Sequence, residues 1–348
     1  MGRIHQLQVF DGNIYILDRS AAKSLFVFNK DGRFIRKIGS MGQGPGEYIS
    51  LSDFTLDTDN GFIYLLDFGN RIHKYRFDGK FIHTIDYRIP RSAMYFIQFH
   101  NNRLYASVLA FESTQDDFML VEIDPDNGNI LSQSLPLKYN KGWDKRSFTG
   151  HSFFISRLNN PPRYTQLFMD YIFSIGDEIT PYIELKSKNL VIDTDFKDAS
   201  DEKISESTNF HVLKGTSKIW DVNSFVENND VILFNCKSGF MAGKRGSFSV
   251  LFHKGTKSVS LANRTSNDLV LKQIDDENKP IMSIFNGNFM FSDSQGAYEI
   301  VQIVPSLIFE SFQKSIQNNE VVPELDKLEE LRKLEDDANP VIFYYEYK

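Results

Sequence analysis

A strand pattern repeats within the first third of the chain. Residues 13–18 (NIYILD) recur as residues 62–67 (FIYLLD), 49 positions further on. Each copy is followed by a second alternation of apolar and polar residues and then by an Asp-Gly pair, at 31–32 and again at 78–79. Asp-Gly between alternating hydrophobic residues is typical of a hairpin turn, because glycine tolerates the positive φ of a tight turn. Each repeat therefore predicts a meander of antiparallel strands.

The repeat has the length of one blade of a β-propeller. Meanders of four strands that recur every 40–50 residues or so are typical of this fold, in which one closed ring uses a long chain as a single domain. Weaker copies follow the first two, and the six copies are anchored at positions 14, 63, 104, 171, 231 and 289. The pattern predicts an all-β fold, a six-bladed β-propeller over residues 1–348, with insertions at 138–150 and 186–209.

The C-terminal part departs from the repeat. Leucines at every third position between 325 and 334 indicate a helix, and we expect a short helical excursion over residues 300–337. The β-branched and aromatic run at 341–347 predicts a closing strand. A strand at this end suits a ring that is closed by pairing its two ends, since closure removes exposed sheet edges.

The two ends of the chain suggest a further expectation about blade six. Residues 2–10 already read as the innermost strand of blade one, and 341–347 would be the third strand of blade six, so the outermost position of that blade stays empty. We expect residues upstream of this sequence to supply that strand, in an exported precursor. The alternative is a three-stranded blade whose edge is shielded by the helices.

Composition argues against two classes of partner. The formal net charge is −7 and there is no basic run, whereas proteins that bind nucleic acid need Lys and Arg to displace counterions from phosphates. No stretch approaches the 18 or so apolar residues of a membrane-spanning helix. We therefore expect no nucleic acid partner and no transmembrane segment. The single cysteine, Cys236, lies in an apolar run and is predicted to be a buried hydrophobic residue.

Several short motifs resemble cofactor sites but lack the required context. The glycine-rich stretch 42–46 has neither the Gly-Lys-Ser/Thr of a phosphate loop nor a βαβ unit, and we interpret it as the crossing between blades one and two. The Asp-rich runs 57–61 and 124–128 are spaced like hairpin turns, not like calcium loops. The seven histidines lack the close pair that is usual in zinc sites. The sequence therefore assigns no cofactor, no metal site and no catalytic residue.

One family resemblance is specific. The stretch 38–48 (IGSMGQGPGEY), with 63–67 (IYLLD) and 77–81 (FDGKF), resembles the NHL repeat. It is more closely similar to six-bladed propeller proteins of Bacteroides-type bacteria, often lipoproteins of unknown function, and 339–345 (NPVIFYY) is similar to their C-terminal strand. The resemblance implies the fold and a periplasmic or cell-surface location; without it, a cytoplasmic location would be expected. It implies no chemistry, because NHL-like propellers include protein-binding, RNA-binding and lyase members.

The candidate binding residues lie in turns and interblade loops, where a rigid scaffold usually presents functional side chains. They are Arg19, Glu47, Tyr48, Arg71, Arg91, Trp143, Phe240, Lys244 and Arg245. Trp143 stands in a charged insertion, where it could stack on a sugar, anchor a partner or simply pack the loop. Asp18 and Asp67 end equivalent strands, and this repetition predicts a structural role for both.

Two functions are consistent with these observations. The first is a ligand- or protein-binding or scaffold propeller of the bacterial cell envelope, which engages a protein, peptide or carbohydrate at one face of the ring. The alternative is a metal-dependent lyase or hydrolase with its site on the propeller axis, held by histidines or carboxylates from several blades. The sequence favours the binding protein.

Overall fold

The repeats fold as six antiparallel sheets that form the blades of a propeller. The computed structural model of the chain describes the following residues: 2–68, 71–87, 92–110, 118–140, 153–154, 161–192, 217–241, 244–262, 289–292, 295–301, 313–321, 327–334 and 340–347.

Blades one to three follow the predicted meander, each with four strands ordered from the axis outward. Blade one contains β1 (Gln6–Phe10), β2 (Asn13–Asp18), β3 (Ser24–Asn29) and β4 (Phe34–Ile38). A short parallel ladder, β5 (Ser40–Met41) with β6 (Glu47–Tyr48), leads to blade two, which contains β7 (Leu51–Asp57), β8 (Phe62–Asp67), β9 (Arg71–Arg76) and β10 (Phe81–Asp86). Blade three contains β11 (Ser92–His100), β12 (Arg103–Ala110), β13 (Phe118–Ile123) and β14 (Ile130–Pro136), followed by a 3-10 helix, Leu137–Asn140.

Blades four and five also have four strands, and blade six has three in the part of the chain that the structure describes. Blade four contains β15 (Phe153–Phe154), β16 (Arg163–Tyr164), β17 (Tyr171–Ile175) and β18 (Ile179–Glu184). Blade five contains β19 (Ile219–Glu227), β20 (Val231–Met241), β21 (Lys244–His253) and β22 (Ser258–Ala262). Blade six contains β23 (Phe289–Ser292), β24 (Gly296–Val301) and β25 (Val341–Glu346), and the closing strand is third, as predicted.

Three sequence expectations need correction. The anchor at 171 falls on the third strand of blade four and the anchor at 289 on the first strand of blade six, whereas the others fall on second strands. The alternation of apolar residues is the same on every strand of a blade, so periodicity does not show whether a strand is the first, second, third or fourth of its blade. The helical excursion does not begin at 300, because Ile300 and Val301 pair with β25. Beyond them, residues 313–317 and α1 (Leu328–Leu331) are helical.

Other predicted features are confirmed. The stretch 42–46 lies in the crossing between blades one and two. The runs 57–61 and 124–128 are turns, in which the Asp57 carboxylate accepts the Asn60 N–H at 3.0 Å and the Asp124 carboxylate accepts the Asp126 N–H at 2.8 Å. Cys236 is buried.

Apolar side chains fill the junctions between neighbouring blades. Continuous clusters of buried residues occupy the junctions of blades one and two, two and three, three and four, four and five, and six and one. Each fully buried leucine or phenylalanine contributes about 1.5–3 kcal/mol by leaving water. The innermost strands contact one another in a closed cycle, from β1 through β7, β11, β15, β19 and β23 back to β1.

The two faces of the ring differ in their connections. In a meander, the first-to-second and third-to-fourth turns leave from one end of the blade, which we call the turn face. The second-to-third connections and the crossings between blades leave from the other end, which we call the loop face. The four longest connections in the chain, residues 137–152, 185–218, 263–288 and 302–340, all start and end on the loop face.

Polar side chains cover the inner edge of the ring. An innermost strand has no neighbour on its axial side, so its backbone groups there need other partners. The Gln6 side chain donates to the Phe54 carbonyl at 2.9 Å and accepts the Phe54 N–H at 3.2 Å. One blade further on, the Asp53 carboxylate accepts the Ile97 N–H at 2.8 Å. Each of these side chains caps the innermost strand of the next blade.

We expect Gln6→Leu to lower the free energy of unfolding by about 1–3 kcal/mol, because it leaves the buried N–H of Phe54 without its acceptor. The Phe54 carbonyl keeps a second donor, Gln8 Nε2, at 3.2 Å. Urea unfolding followed by circular dichroism measures the change. The matched control is Gln43→Leu, at an exposed position of the crossing between blades. Equal stability of the two variants would contradict the capping role.

Candidate functional site

Asp18 and Asp67 hold the loop-face ends of blades one and two, which confirms their predicted structural role. The Asp18 carboxylate accepts N–H groups from Ala21 at 3.0 Å and from Gly2 at 2.7 Å. The Asp67 carboxylate accepts the N–H of Ser50 at 2.9 Å. Both carboxylates therefore tie the segment that precedes an innermost strand to the end of the second strand.

Arg71 also contacts the Asp67 carboxylate. Its guanidinium lies 2.7 Å from Asp67 Oδ2, and His73 Nε2 lies 3.5 Å from the same oxygen. The other ring nitrogen of His73 is 2.9 Å from Thr84 Oγ1. Burial raises the pKa of Asp67, but the hydrogen bonds from His73 and from two backbone N–H groups, together with the positive charge of Arg71, outweigh it and hold the pKa well below its ordinary value. Arg71 thus has a partner inside the chain.

We expect Asp67→Asn to lower the free energy of unfolding by about 2–4 kcal/mol at neutral pH, because it removes a buried, fully bonded charge beside Arg71. Since the pKa of Asp67 is lower in the folded than in the unfolded chain, the stabilisation is present above the unfolded pKa and is lost as the pH falls. The difference from the unmodified protein should therefore shrink below about pH 4. Urea titrations at several pH values test this, with the exposed Asp59→Asn as control. A difference that does not depend on pH would contradict it.

Glu47 and Tyr48 lie in the crossing between blades one and two. The Glu47 carboxylate accepts the Gly44 N–H at 2.8 Å. The Tyr48 ring is buried, and its hydroxyl donates to Ser24 Oγ at 3.4 Å. Both side chains stabilise the crossing itself.

Arg19 lies at the mouth of the ring. Its guanidinium donates to the carbonyl of Ser52, at the loop-face end of innermost strand β7, at 3.4 Å. Its backbone N–H donates to His5 Nδ1 at 3.3 Å. Arg19 is exposed overall, so among the predicted residues near blades one and two it is the one best placed to meet a ligand.

The remaining predicted residues lie elsewhere. Arg91 and Trp143 are outside the described residues. Phe240 pairs with Arg245, and Lys244 pairs with Met241, at the loop-face end of the β20–β21 hairpin. The predicted set thus divides into a group at blades one and two and a group at blade five.

Blade five has two chemically different faces. Its apolar side chains, among them Val222, Phe234 and Cys236, pack against Ile172 of blade four. Successive side chains on a strand point to opposite faces of the sheet. The residues that alternate with these apolar ones therefore face blade six. Their turn-face half is apolar, with Val226, Leu233 and Leu251, and their loop-face half forms what we call the polar face of blade five: Asp221, Asn223, Asn235, Lys237 and Ser249.

Hydrogen bonds and one ion pair connect the residues of the polar face. Lys237 Nζ lies 2.8 Å from Asp221 Oδ2, and 32% of the lysine side chain is exposed. The ammonium also lies 5.5 Å from the centre of the Trp220 ring. Ser249 Oγ donates to Asn235 Oδ1 at 2.7 Å. Burial raises the pKa of Asp221, and Lys237 opposes this shift without cancelling it.

Among the residues that the structure describes, two oxygens at this junction have no hydrogen-bond partner. They are Asn223 Oδ1 and Ser292 Oγ, both inaccessible to solvent. Ser292 follows Phe291, whose ring packs with Leu7 of blade one, so the serine points the other way, toward blade five. Asn223 faces blade six from the opposite side. The junction therefore presents buried acceptors next to the half-buried amide, hydroxyl and ammonium groups of the polar face.

The polar face was missed by the sequence reasoning, although a signal exists. In β20 the apolar Phe234 and Cys236 alternate with Asn235 and Lys237. The equivalent face of blade two is largely apolar, with Tyr64 and Leu66 packed against blade three and a single lysine, Lys74, paired with Asp126 of that blade. A comparison of the second strands, face by face, would have shown that blade five breaks the repeat.

A family described as a domain of unknown function (DUF4934) matches residues 1–346. The chain belongs to this family. A solved structure from Bacteroides fragilis NCTC 9343, BF0058, described as an exported protein, has the same fold, with a TM-score of 0.70 at 18% identity over 99% of this chain and 90% of that one. No curated protein matches the sequence.

Two other solved structures align less closely with this family member. A member of the DUF4221 family from Bacteroides vulgatus gives a TM-score of 0.48 at 10% identity, over 74% of this chain and 80% of that one. The extracellular domain of BT4673 from B. thetaiotaomicron, described as a hybrid two-component system, gives 0.44 at 13% identity, over 85% and 31%.

Two further observations apply to the described part of the chain. No group of three or more His, Cys, Asp or Glu side chains there is arranged to hold a metal ion. No helix there is long and apolar enough to cross a membrane.

Proposed function

We propose that this member of the DUF4934 family is a binding or scaffold propeller of the cell envelope, which engages a protein, peptide or carbohydrate on its loop face. The observation that carries the proposal is the difference between the two faces of the ring. The four longest connections all leave from the loop face. Loops held by a rigid scaffold are where binding residues concentrate. Arg19 and the end of the β20–β21 hairpin are on the same face.

The location in the envelope rests on two similarities. The first is the resemblance of the repeat to envelope propellers with NHL-like blades, many of them lipoproteins. The second is the shared fold with BF0058, which is described as exported. We expect fractionation of cells that make the natural protein to recover it with the envelope. Recovery with the cytoplasm alone would overturn this part of the proposal.

We expect no complex with DNA or RNA oligonucleotides at physiological salt. The formal net charge of −7 repels the phosphate backbone, and affinity for nucleic acid depends on Lys and Arg that release counterions. Fluorescence anisotropy with labelled oligonucleotides measures this directly. A tight complex that weakens steeply with added salt would contradict the prediction.

The choice of face can be tested before the ligand is known. Cys236 is buried and is the single cysteine of the chain, so a cysteine introduced at an exposed position can be modified alone. Ser20→Cys places a large polyethylene glycol chain on the loop face, and Lys30→Cys places it on the turn face. Both variants are then compared on arrays of peptides and of neutral oligosaccharides.

We expect modification at position 20, and not at position 30, to weaken each interaction by tenfold or more, because the polymer excludes ligands from the face that carries it. The opposite pattern would place the site on the turn face. Absence of any binder on either array would overturn the proposal, as would the release of cleaved products, which would indicate the lyase or hydrolase instead.

A further inference from the structure

We infer that the polar face of blade five, at its junction with blade six, binds a neutral carbohydrate. The inference rests on the proposed function and names the ligand class for one part of the ring. It starts from a break in the internal repeat. The junctions of blades one and two and of blades two and three are filled mainly by tyrosine, leucine and isoleucine from the second and third strands, with Lys74 as the charged residue paired across the second of them. Blade five keeps Leu233 and Leu251 on the turn-face half of the corresponding strands and offers Asn235, Lys237 and Ser249 together on the loop-face half.

A break of this kind in the apolar packing costs free energy, so we expect it to serve a function. Burying amide and hydroxyl groups costs free energy when they lack partners, whereas apolar residues at the same positions would add to the core. Asn223 Oδ1 and Ser292 Oγ are buried acceptors without a partner, from the two sides of this junction. Ser292 is fully buried. The junction is therefore suited to a molecule that donates hydrogen bonds.

Charge narrows the class of ligand. The Asp221 carboxylate and the Lys237 ammonium form an ion pair at 2.8 Å, so together they carry no net charge. A phosphorylated or carboxylated ligand would find no uncompensated cation on the polar face, and a cationic ligand would find no uncompensated carboxylate. A neutral molecule fits this balance best.

Hydrogen bonding narrows it further. Amide, carboxylate, ammonium and hydroxyl groups stand side by side on the polar face, and both donors and acceptors are among them. A sugar hydroxyl donates one hydrogen bond and accepts others, so adjacent hydroxyls of a pyranose can satisfy such a set. Peptides are usually recognised by a free strand edge or by apolar pockets for side chains. Asn235 and Lys237 are inside β20, which is paired on both sides, and so offer side chains alone.

Trp220 supplies a local probe of the site. Its ring is buried and lies 5.5 Å from the Lys237 ammonium. The chain has two tryptophans, so Trp143→Phe leaves Trp220 as the sole indole fluorophore. A ligand that displaces water from Lys237 or shifts its ammonium would change the emission of Trp220.

The experiment titrates neutral oligosaccharides of hexoses, pentoses, deoxyhexoses and N-acetylhexosamines into the full chain that carries Trp143→Phe, followed by fluorescence and by calorimetry. We expect at least one to bind and to change the Trp220 emission. Asn235→Leu, which restores the apolar character seen in the other blades, should weaken binding tenfold or more without lowering the melting temperature. The same substitution at an exposed turn, Asn129→Leu, should leave binding unchanged.

Ser249→Ala is the second variant, since it removes one hydroxyl of the polar face and leaves the buried Asp221 carboxylate paired with Lys237. It should weaken binding even if Asn235→Leu proves poorly folded. If an oligosaccharide binds and neither variant weakens it, the inference is overturned. The proposed loop-face site would still stand if the polymer attached to Ser20→Cys weakened that binding. If peptides on the array bind and no oligosaccharide does, the inference of a carbohydrate ligand is overturned and the proposed binding function is retained. Binding of neither class would overturn both proposals.

Discussion

The inward edge of the innermost strands is the constraint on which the rest of the ring depends. A strand beside the axis has backbone N–H and C=O groups with no neighbouring strand to receive them, and leaving them buried without partners is costly. Gln6 and Asp53 meet this need by reaching from one innermost strand to the backbone of the next. The same bonds that satisfy the edge also join neighbouring blades. The axis is therefore polar, and the apolar core is divided among the junctions between blades.

In a ring held together in this way, the contacts that stabilise the fold lie in the sheets and their short turns, apart from the long connections on the loop face. The turn face consists of short connections between paired strands. The hydrogen bonds to Asp18 and Asp67 hold the loop-face ends of the first two blades. The sequence analysis placed Arg71, Glu47 and Tyr48 in loops. In the structure their side chains make contacts within the chain: Arg71 pairs with Asp67, and Glu47 and Tyr48 form hydrogen bonds in the crossing between blades one and two. Arg19 is exposed and donates to Ser52, at the loop-face end of an innermost strand.

Blade five is the exception to this regular packing. It presents apolar side chains to blade four, as the repeat requires, and over the loop-face half of the sheet it presents polar side chains to blade six. The hairpin that carries Asn235 and Lys237 continues to Phe240, Lys244 and Arg245 on the loop face. The residues predicted from the sequence and the polar face found in the structure thus belong to one element.

The sequence alone determined the meander of blades one and two and the number of blades, because side-chain alternation and Asp-Gly turns are local properties. It also determined that the last strand closes the ring. It did not determine the rank of the strands that contain Tyr171 and Phe289, since alternation is the same on every strand. Only the tertiary structure decided that β19, which contains Asn223, and β23, which contains Ser292, lie side by side, although the two residues are 69 positions apart in the chain. Which side chains meet across a junction depends on how blades pack as neighbours, and no local pattern encodes that.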